Sequence, residues 1–184
     1  PLIDASKTPG TVTGPDANGD YIVTYTMNVK NSGQVDGTYG PLTDTPSFAP
    51  NLAVTSASWS ASGPGAPSPN SGTGAGPFTL AGPGTVLTAG STHSYSMAIK
   101  FHFTNNTAAL PCNLAAPGTG LYNKAGVSGD TTASNDVACV QPPQPPVASV
   151  TLDKQASAIT DVNTNGISDA GDQITYSFLV RNTS

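Results

Sequence analysis

The chain has 184 residues and a net charge of −5 at pH 7, and only 9% of its residues are charged, against about 25% in an average domain. An acidic chain without a basic stripe is poorly suited to hold nucleic-acid phosphates, and no apolar run approaches the ~20 residues of a membrane helix. We therefore expect neither nucleic-acid partners nor membrane insertion. Glutamate is absent and Lys and Arg are scarce, while Thr, Ser, Gly and Pro abound, which disfavours helices and favours strands joined by turns.

Two long segments, 21–29 and 95–103, alternate between apolar and polar residues, with Ile22 and Ala98 as the exceptions. A period of two places the apolar set on one face of a strand, with the other face in water. Many short strands with turn signals between them are typical of a sandwich, so we predict an all-β fold. Shorter strands are predicted at 52–59, 77–80, 121–128 and 136–140.

Residues 60–76 are low in complexity and contain no aromatic, charged or histidine residue. We expect an exposed loop there. Trp59, directly before it, could stack on a sugar, although a single Trp in a strand more often packs in the core or at an edge. His93 and His102 differ in parity along one strand, so they cannot share a metal ion, and we expect both at the surface.

A proline-rich segment with the sequence QPPQPP occupies 141–146. Consecutive prolines favour a semi-rigid extended spacer, so we divide the chain into a module at 1–140, a linker at 141–148 and a second unit at 149–184.

The second unit is predicted to be the opening of another copy of the module. VTYTMNVKNS at 23–32 aligns with ITYSFLVRNT at 174–183, and every pair except Asn28 and Leu179 is identical or chemically similar. Self-similarity of this kind indicates a repeat architecture. Two strands cannot bury a core. Either this second copy is incomplete, or its strands pair with the first module or a neighbouring molecule by strand addition.

Four segments resemble the DUF11-type repeats of bacterial and archaeal surface proteins. They are DAGDQITYSFLVRNT at 169–183, GPLTD at 40–44, LAVTSAS at 52–58 and LYNKAGV at 121–127. The resemblance implies an immunoglobulin-like β-sandwich in tandem arrays that serve as stalks, adhesins or cell-surface filaments. Related surface sandwiches join a first-strand lysine to a last-strand asparagine through an isopeptide bond that a buried acid promotes. By resemblance alone, Lys7, Asn123 and Asp44 occupy suitable places, and the alternative is a surface lysine and a turn-facing asparagine.

Residues 161–172 have the spacing of an EF-hand calcium loop. Oxygen ligands could come from the side chains and from one backbone carbonyl, that of Ile167, and the full set is Asp161, Asn163, Asn165, Ile167, Asp169 and Asp172. Position 12 is Asp rather than Glu, and the flanks are strands rather than helices, so an Asx-rich turn is the alternative. The shorter loop at 16–20 is predicted to be a plain turn.

Cys112 and Cys139 are the only two cysteines, and an even count in a chain of secreted character predicts a disulfide, with two buried free thiols as the alternative. No nucleophile elbow, P-loop or dinucleotide fingerprint is present, so we expect no enzymatic activity. The predicted function is that of an extracellular structural module of a surface stalk, adhesin or filament, whose partners are other copies of the repeat or neighbouring subunits. The alternative is a carbohydrate- or ligand-binding adhesion module. Asn105 and Asn182 head sequons that could carry glycans.

Overall fold

A computed structural model describes residues 1–105, 109–132, 134–145 and 149–183. These residues form thirteen β-strands and no helix. The chain divides into two compact units, Pro1–Gln144 and Pro145–Ser184. The boundary between them falls within the proline-rich segment.

The first unit contains a five-stranded antiparallel sheet in the order β1-β2-β9-β5-β6. Its strands are β1 (Ile3–Thr13), β2 (Asp20–Asn31), β5 (Leu52–Ser62), β6 (Asn70–Thr73) and β9 (Thr92–Phe103). The two alternating segments of the sequence form β2 and β9, which lie side by side at the centre with Val23 opposite Ile99. Alternation thus marks the strands that carry one whole face of the core.

A second sheet of four strands has the order β11-β10-β4-β7. Its strands are β4 (Leu42–Pro46), β7 (Phe78–Ala81), β10 (Asn123–Val127) and β11 (Val137–Ala138). A small two-stranded pair, β3 (Gly37–Tyr39) and β8 (Thr85–Leu87), completes the unit. Apolar side chains from both large sheets form one buried cluster, so the fold is a β-sandwich, as predicted. The largest fully buried side chains include Tyr25, Met27, Leu42, Leu87, Tyr95, Met97, Ile99, Phe101 and Leu121.

The outer edge of β1 is covered by the segment that connects β10 to β11. The Lys7 amide donates to the Asn135 carbonyl at 2.8 Å, and the Thr131 amide donates to the Ile3 carbonyl at 3.0 Å. The Ala5 amide donates to the Asp130 carboxylate at 3.1 Å. The first strand is therefore hydrogen-bonded to the segment beside the last strands. Backbone groups of Ile3, Ala5 and Lys7 on its outer edge have partners there.

The prediction of a long exposed loop over 60–76 is wrong in part. The strand β5 continues to Ser62, three residues beyond Trp59, and β6 pairs back onto it with Trp59 opposite Asn70. Backbone pairing at a sheet edge needs no apolar side chains, and Gly72 fits there because a side chain would collide with the Phe78 ring. Small residues thus permit a strand where composition indicated a loop.

The second unit is built on an antiparallel hairpin of β12 (Val150–Ala156) and β13 (Tyr176–Asn182). Every residue of both strands is exposed. The residues between the strands form a loop that is closed by a bridge between Thr160 and Gln173. The chain-terminal Ser184 and the linker residues 146–148 lie outside the described residues.

Candidate functional site

Among the polar side chains buried in the core of the first unit are Lys7 from β1, Asp44 from β4 and Asn123 from β10. Strand alternation places them there. Lys7 shares the inward face of β1 with Ile3 and Ala5, and the other two occupy inward positions of the opposite sheet. The site therefore joins the first strand of the unit to the second sheet across the middle of the sandwich.

The two residues from the second sheet are diagonal neighbours on one face. Asp44 lies opposite Ala125 in the antiparallel pair, and Asn123 lies opposite Pro46. Residues related in this way have Cα atoms about 7–8 Å apart, within reach of longer side chains. Packed sheets lie about 10 Å apart, and the Lys7 side chain meets that of Asp44 within this gap.

The Lys7 amine makes a buried ion pair with Asp44 Oδ2. The amine also lies 3.7 Å from Met27 Sδ and 4.9 Å from the centre of the Tyr25 ring. Tyr25 is fixed in turn because its hydroxyl donates to the Leu121 carbonyl at 2.5 Å. The amine is thus held in one place by an acid, a thioether and a ring face, and the Lys7 side chain is fully buried.

Burial favours the neutral forms of both members of the pair. Desolvation lowers the pKa of the Lys7 amine more strongly than the attraction of Asp44 raises it. Desolvation also raises the pKa of the Asp44 carboxyl, against the lowering effect of the amine and of the Asn123 amide. A neutral amine beside a protonated acid is the combination that nucleophilic attack with general-acid assistance requires.

Asn123 is fully buried, yet neither polar atom of its amide makes a hydrogen bond of ordinary length and angle within the described residues. Asp44 Oδ1 is also without such a partner. Leaving a buried polar group unpaired costs about 1–3 kcal/mol, and such groups in folded proteins call for an explanation.

Asn31 provides an internal comparison, because it is buried to the same extent in the same unit. Its side-chain oxygen accepts from the amides of Leu2 and Gly33, both at 3.1 Å, and its nitrogen donates to the carbonyls of Val35 and Leu87 at 2.9 and 3.1 Å. Asn31 is a fully satisfied structural amide. Asn123 has no such set of ordinary hydrogen bonds, and its amide interacts with Asp44 instead.

A second acid, Asp136, lies close enough to influence Lys7. Burial, together with the neighbouring Asp130, raises the pKa of Asp136 to about 6. Nothing in the sequence pattern singled out Asp136, because only the return of β11 onto β10 brings it beside the first strand.

Cys112 and Cys139 lie at disulfide distance, with their Cα atoms 5.8 Å apart. This is the pairing predicted from the sequence. The bridge ties the segment after β9 to the segment after β11, and its closed loop spans 27 positions.

The predicted calcium loop is held together by its own hydrogen bonds. The Gly166 amide donates to Asp161 Oδ2 at 2.7 Å, and Asp172 accepts from the amides of Val162 and Asp169, both at 3.1 Å. Asp161 Oδ1 is buried without a partner, which suits a cation ligand.

The remaining ligands of that loop face one another. The side-chain amides of Asn163 and Asn165 donate to the Asp169 carboxylate at 3.1 and 2.6 Å, so both would have to turn over to present oxygen to a cation. Among the described residues no three acidic, histidine or cysteine side chains converge as a metal site. Calcium therefore stays a prediction. The shorter loop at 16–20 is a turn in which Asp16 accepts from the amides of Asn18 and Asp20.

The two histidines differ in environment, and the expectation that both lie at the surface is wrong for His93. His93 is buried: its Nδ1 lies 2.7 Å from the Tyr39 hydroxyl and its Nε2 lies 2.8 Å from the Pro64 carbonyl. It shares the parity of Tyr95 on β9, so the apolar face was the signal that could have placed it inside. His102 is on the opposite, polar face and lies 3.5 Å from Asp20.

Trp59 packs in the core against Phe78, with ring centres 6.1 Å apart. A buried ring cannot stack on a sugar, so the structural interpretation of this residue applies. The sequon at Asn105 extends into residues 106 and 107, which lie outside the described residues.

Comparison of the chain with protein-family models, with curated proteins and with solved structures finds no match in any of the three. No helix in the described part of the chain is long and apolar enough to cross a membrane.

Proposed function

We propose that this chain is part of a non-catalytic, extracellular structural protein, a stalk, adhesin or filament built from immunoglobulin-like repeats, and that the first unit is closed by an amide bond between Lys7 and Asn123. The observation that carries the proposal is the buried cluster of Lys7, Asp44 and Asn123. The Asn123 amide, which makes no hydrogen bond of ordinary length and angle, influences Asp44, the partner of the Lys7 amine, and burial favours the neutral forms of that pair.

The reaction needs no group beyond these three side chains. The neutral Lys7 amine attacks Asn123 Cγ, and Asp44 in its acid form donates a proton to the amide nitrogen as the tetrahedral centre collapses. One C–N bond forms, another breaks, and ammonia leaves with the amine proton returned to Asp44. The unsatisfied Nδ2 atom is thereby removed from the core, and the ionisable amine of Lys7 becomes part of a neutral amide.

Three further features support a structural role outside the cell. The disulfide pair is suited to an oxidising compartment. The resemblance of four segments to DUF11-type repeats supports a tandem array. The recurrence of the first hairpin after the proline-rich segment does the same. The adhesion alternative predicts exposed aromatic side chains, and Trp59, the residue considered for stacking on a sugar, is buried.

Intact-mass measurement of the full chain, after reduction of the disulfide, tests the bond. We expect a mass lower than that of the sequence by one ammonia. Lys7→Ala, Asp44→Ala and Asn123→Ala should each have the full, unreacted mass. Lys124→Ala is the matched control, because its side chain is exposed on the same strand as Asn123, and it should keep the loss. In Asn123→Asp the leaving group is water, so the mass should fall by one water instead.

A wild-type chain of unreacted mass would refute the bond. Loss of water from the wild type would mean that Lys7 is joined to Asp44, and the role given to Asn123 would be wrong. Loss of ammonia that persists in Lys7→Ala would point to a succinimide at an Asn-Gly pair, such as Asn18-Gly19, and would equally refute the proposal.

A further inference from the structure

The hairpin of the second unit repeats the register of the first hairpin residue for residue. In the first unit Lys7 lies opposite Met27 and Ile3 lies opposite Asn31. In the second, Lys154 lies opposite Phe178 and Val150 lies opposite Asn182. Met27 and Phe178 are also partners in the sequence alignment, as are the two asparagines. Lys154 therefore occupies in β12 the position that Lys7 occupies in β1.

The amine of Lys154 also has the surroundings of the Lys7 amine on its own hairpin. It lies 4.5 Å from the centre of the Tyr176 ring and 5.3 Å from that of Phe178. Lys7 lies 4.9 Å from the centre of the Tyr25 ring, and Tyr25 aligns with Tyr176. What Lys154 lacks is the acid: within the described residues no carboxylate lies at ion-pair distance from it, whereas Lys7 has Asp44.

The face of the hairpin around Lys154 is apolar and uncovered. Phe178 is 60% exposed and Val180 is 65% exposed, while their equivalents Met27 and Val29 are 1% and 0% exposed. In the first unit this face is covered by the sheet of β4, β7, β10 and β11, which also supplies Asp44 and Asn123. One cation in the middle of an apolar face is complementary to a sheet of that kind, apolar with one buried acid.

We propose that Lys154 is the amine of a second amide cross-link, and that the exposed face of β12 and β13 binds the second sheet of a repeat of this same kind. The occupant is defined by its chemistry. Its strands would come after the hairpin in the same way that residues 32–140 come after β2, and it would have an aspartate at the position of Asp44 and an asparagine at that of Asn123. This inference rests on the proposed function of the first unit.

The bond forms as in the first unit. The Lys154 amine, once covered and neutral, attacks the side-chain Cγ of the occupant's asparagine. The occupant's aspartic acid passes its proton to the leaving nitrogen, one C–N bond replaces another, and ammonia departs. Covering the hairpin is a precondition, because an amine in water is protonated and does not attack an amide.

The test is a chimera in which residues 32–145 are appended directly after Asn182 of the full chain. The junction reproduces the natural Asn31–Ser32 bond, since the two asparagines are equivalent. We expect the mass to fall by two ammonias after reduction of the disulfides. Lys154→Ala in the chimera, or Ala at the Asn123 position of the appended copy, should leave a loss of one. Arg181→Ala, which removes a cation from the other face of the hairpin, should keep the loss of two.

The outcomes separate this inference from the function on which it rests. Loss of no ammonia refutes the bond in the first unit as well. Loss of one ammonia, mapped to Lys7, refutes the role of Lys154 alone. Tryptophan emission reports folding, because the appended copy brings a second Trp59: if that residue stays in water, the hairpin does not bind the sheet and the inference is wrong. A covalent dimer of the unmodified chain that depends on Lys154 would place the occupant in a second copy, which also overturns it.

Discussion

Two buried asparagines in one small sandwich show how a residue type acquires its role from its partners. Asn31 satisfies four backbone groups, while the amide of Asn123 interacts with the carboxyl group of Asp44 and makes no hydrogen bond of ordinary length and angle. Both are fully buried. Sequence alone gives no distinction between them, because hydrogen-bond satisfaction depends on segments that are distant along the chain. The resemblance to surface repeats did identify Asn123, but its burial came only from the structure.

Asp136 should make the stability of the first unit depend on pH. Burial raises its pKa from 3.8 to about 6, so the folded state binds a proton that the unfolded state has released between these values. The stabilising effect of that proton is fully present below pH 3.8 and is lost as the pH rises through about 6. We expect Asp136→Asn to gain stability relative to the wild type between pH 4 and pH 7, as measured by urea unfolding.

Asp153→Asn is the control for the loss of one negative charge, because Asp153 is exposed on β12. The difference in free energy of unfolding between this variant and the wild type should not change with pH over the same range. A flat difference for Asp136→Asn as well would show that the carboxyl of Asp136 is ionised at ordinary pH in the folded protein.

At the scale of the element, an apolar/polar alternation over many residues predicts a strand, whereas a strand of two or three residues is too short to show such a pattern. β2 and β9 were predicted because nearly every second side chain faces the core. β3 and β8 have three residues each, too few for a period, and they form because they pair with each other. β1 carries the lysine, but beyond Lys7 its residues are exposed or half-buried, so it has little apolar pattern to detect.

The loop between β12 and β13 is the element on which calcium can be tested. Titration of the full chain by calorimetry should show one weak site, with a dissociation constant of about 10⁻⁴–10⁻³ M, as in extracellular modules. Three carboxylates give limited charge, and the amides of Asn163 and Asn165 must turn away from Asp169. Replacing Asp161 and Asp172 together by Asn should abolish the heat.

Asp16→Asn is the matched control for that titration, because Asp16 organises the shorter turn of the first unit. It should leave the calcium heat unchanged. A site that survives loss of both Asp161 and Asp172 would mean that the EF-hand spacing does not describe the ligands, and that the loop is the Asx-rich turn that was the alternative.

At the scale of the whole molecule, the disulfide should contribute to the stability of the first unit. The disulfide closes a loop of 27 positions, for which the chain-entropy model gives about 3–4 kcal/mol. We expect the paired substitution Cys112→Ser with Cys139→Ser to lower the free energy of unfolding of the first unit by that amount in chemical denaturation. Ser128→Ala, an exchange at a residue that takes part in neither the disulfide nor the proposed amide bond, should have no comparable effect. An unchanged midpoint in the paired variant would show that the unfolded chain is already constrained, for instance by the Lys7–Asn123 bond.

The place of Lys7 near one end of the first unit and of Asn123 near the other has a mechanical consequence. A pull on the two ends of the unit would enter through β1 and, with the amide formed, pass straight across to β10. The more than ~100 residues between them would carry no tension, although they would otherwise yield roughly 350–400 Å of slack when drawn out. A series of such units joined end to end would transmit force over its length almost without stretching, because no unit could unfold and lengthen between its two cross-linked strands.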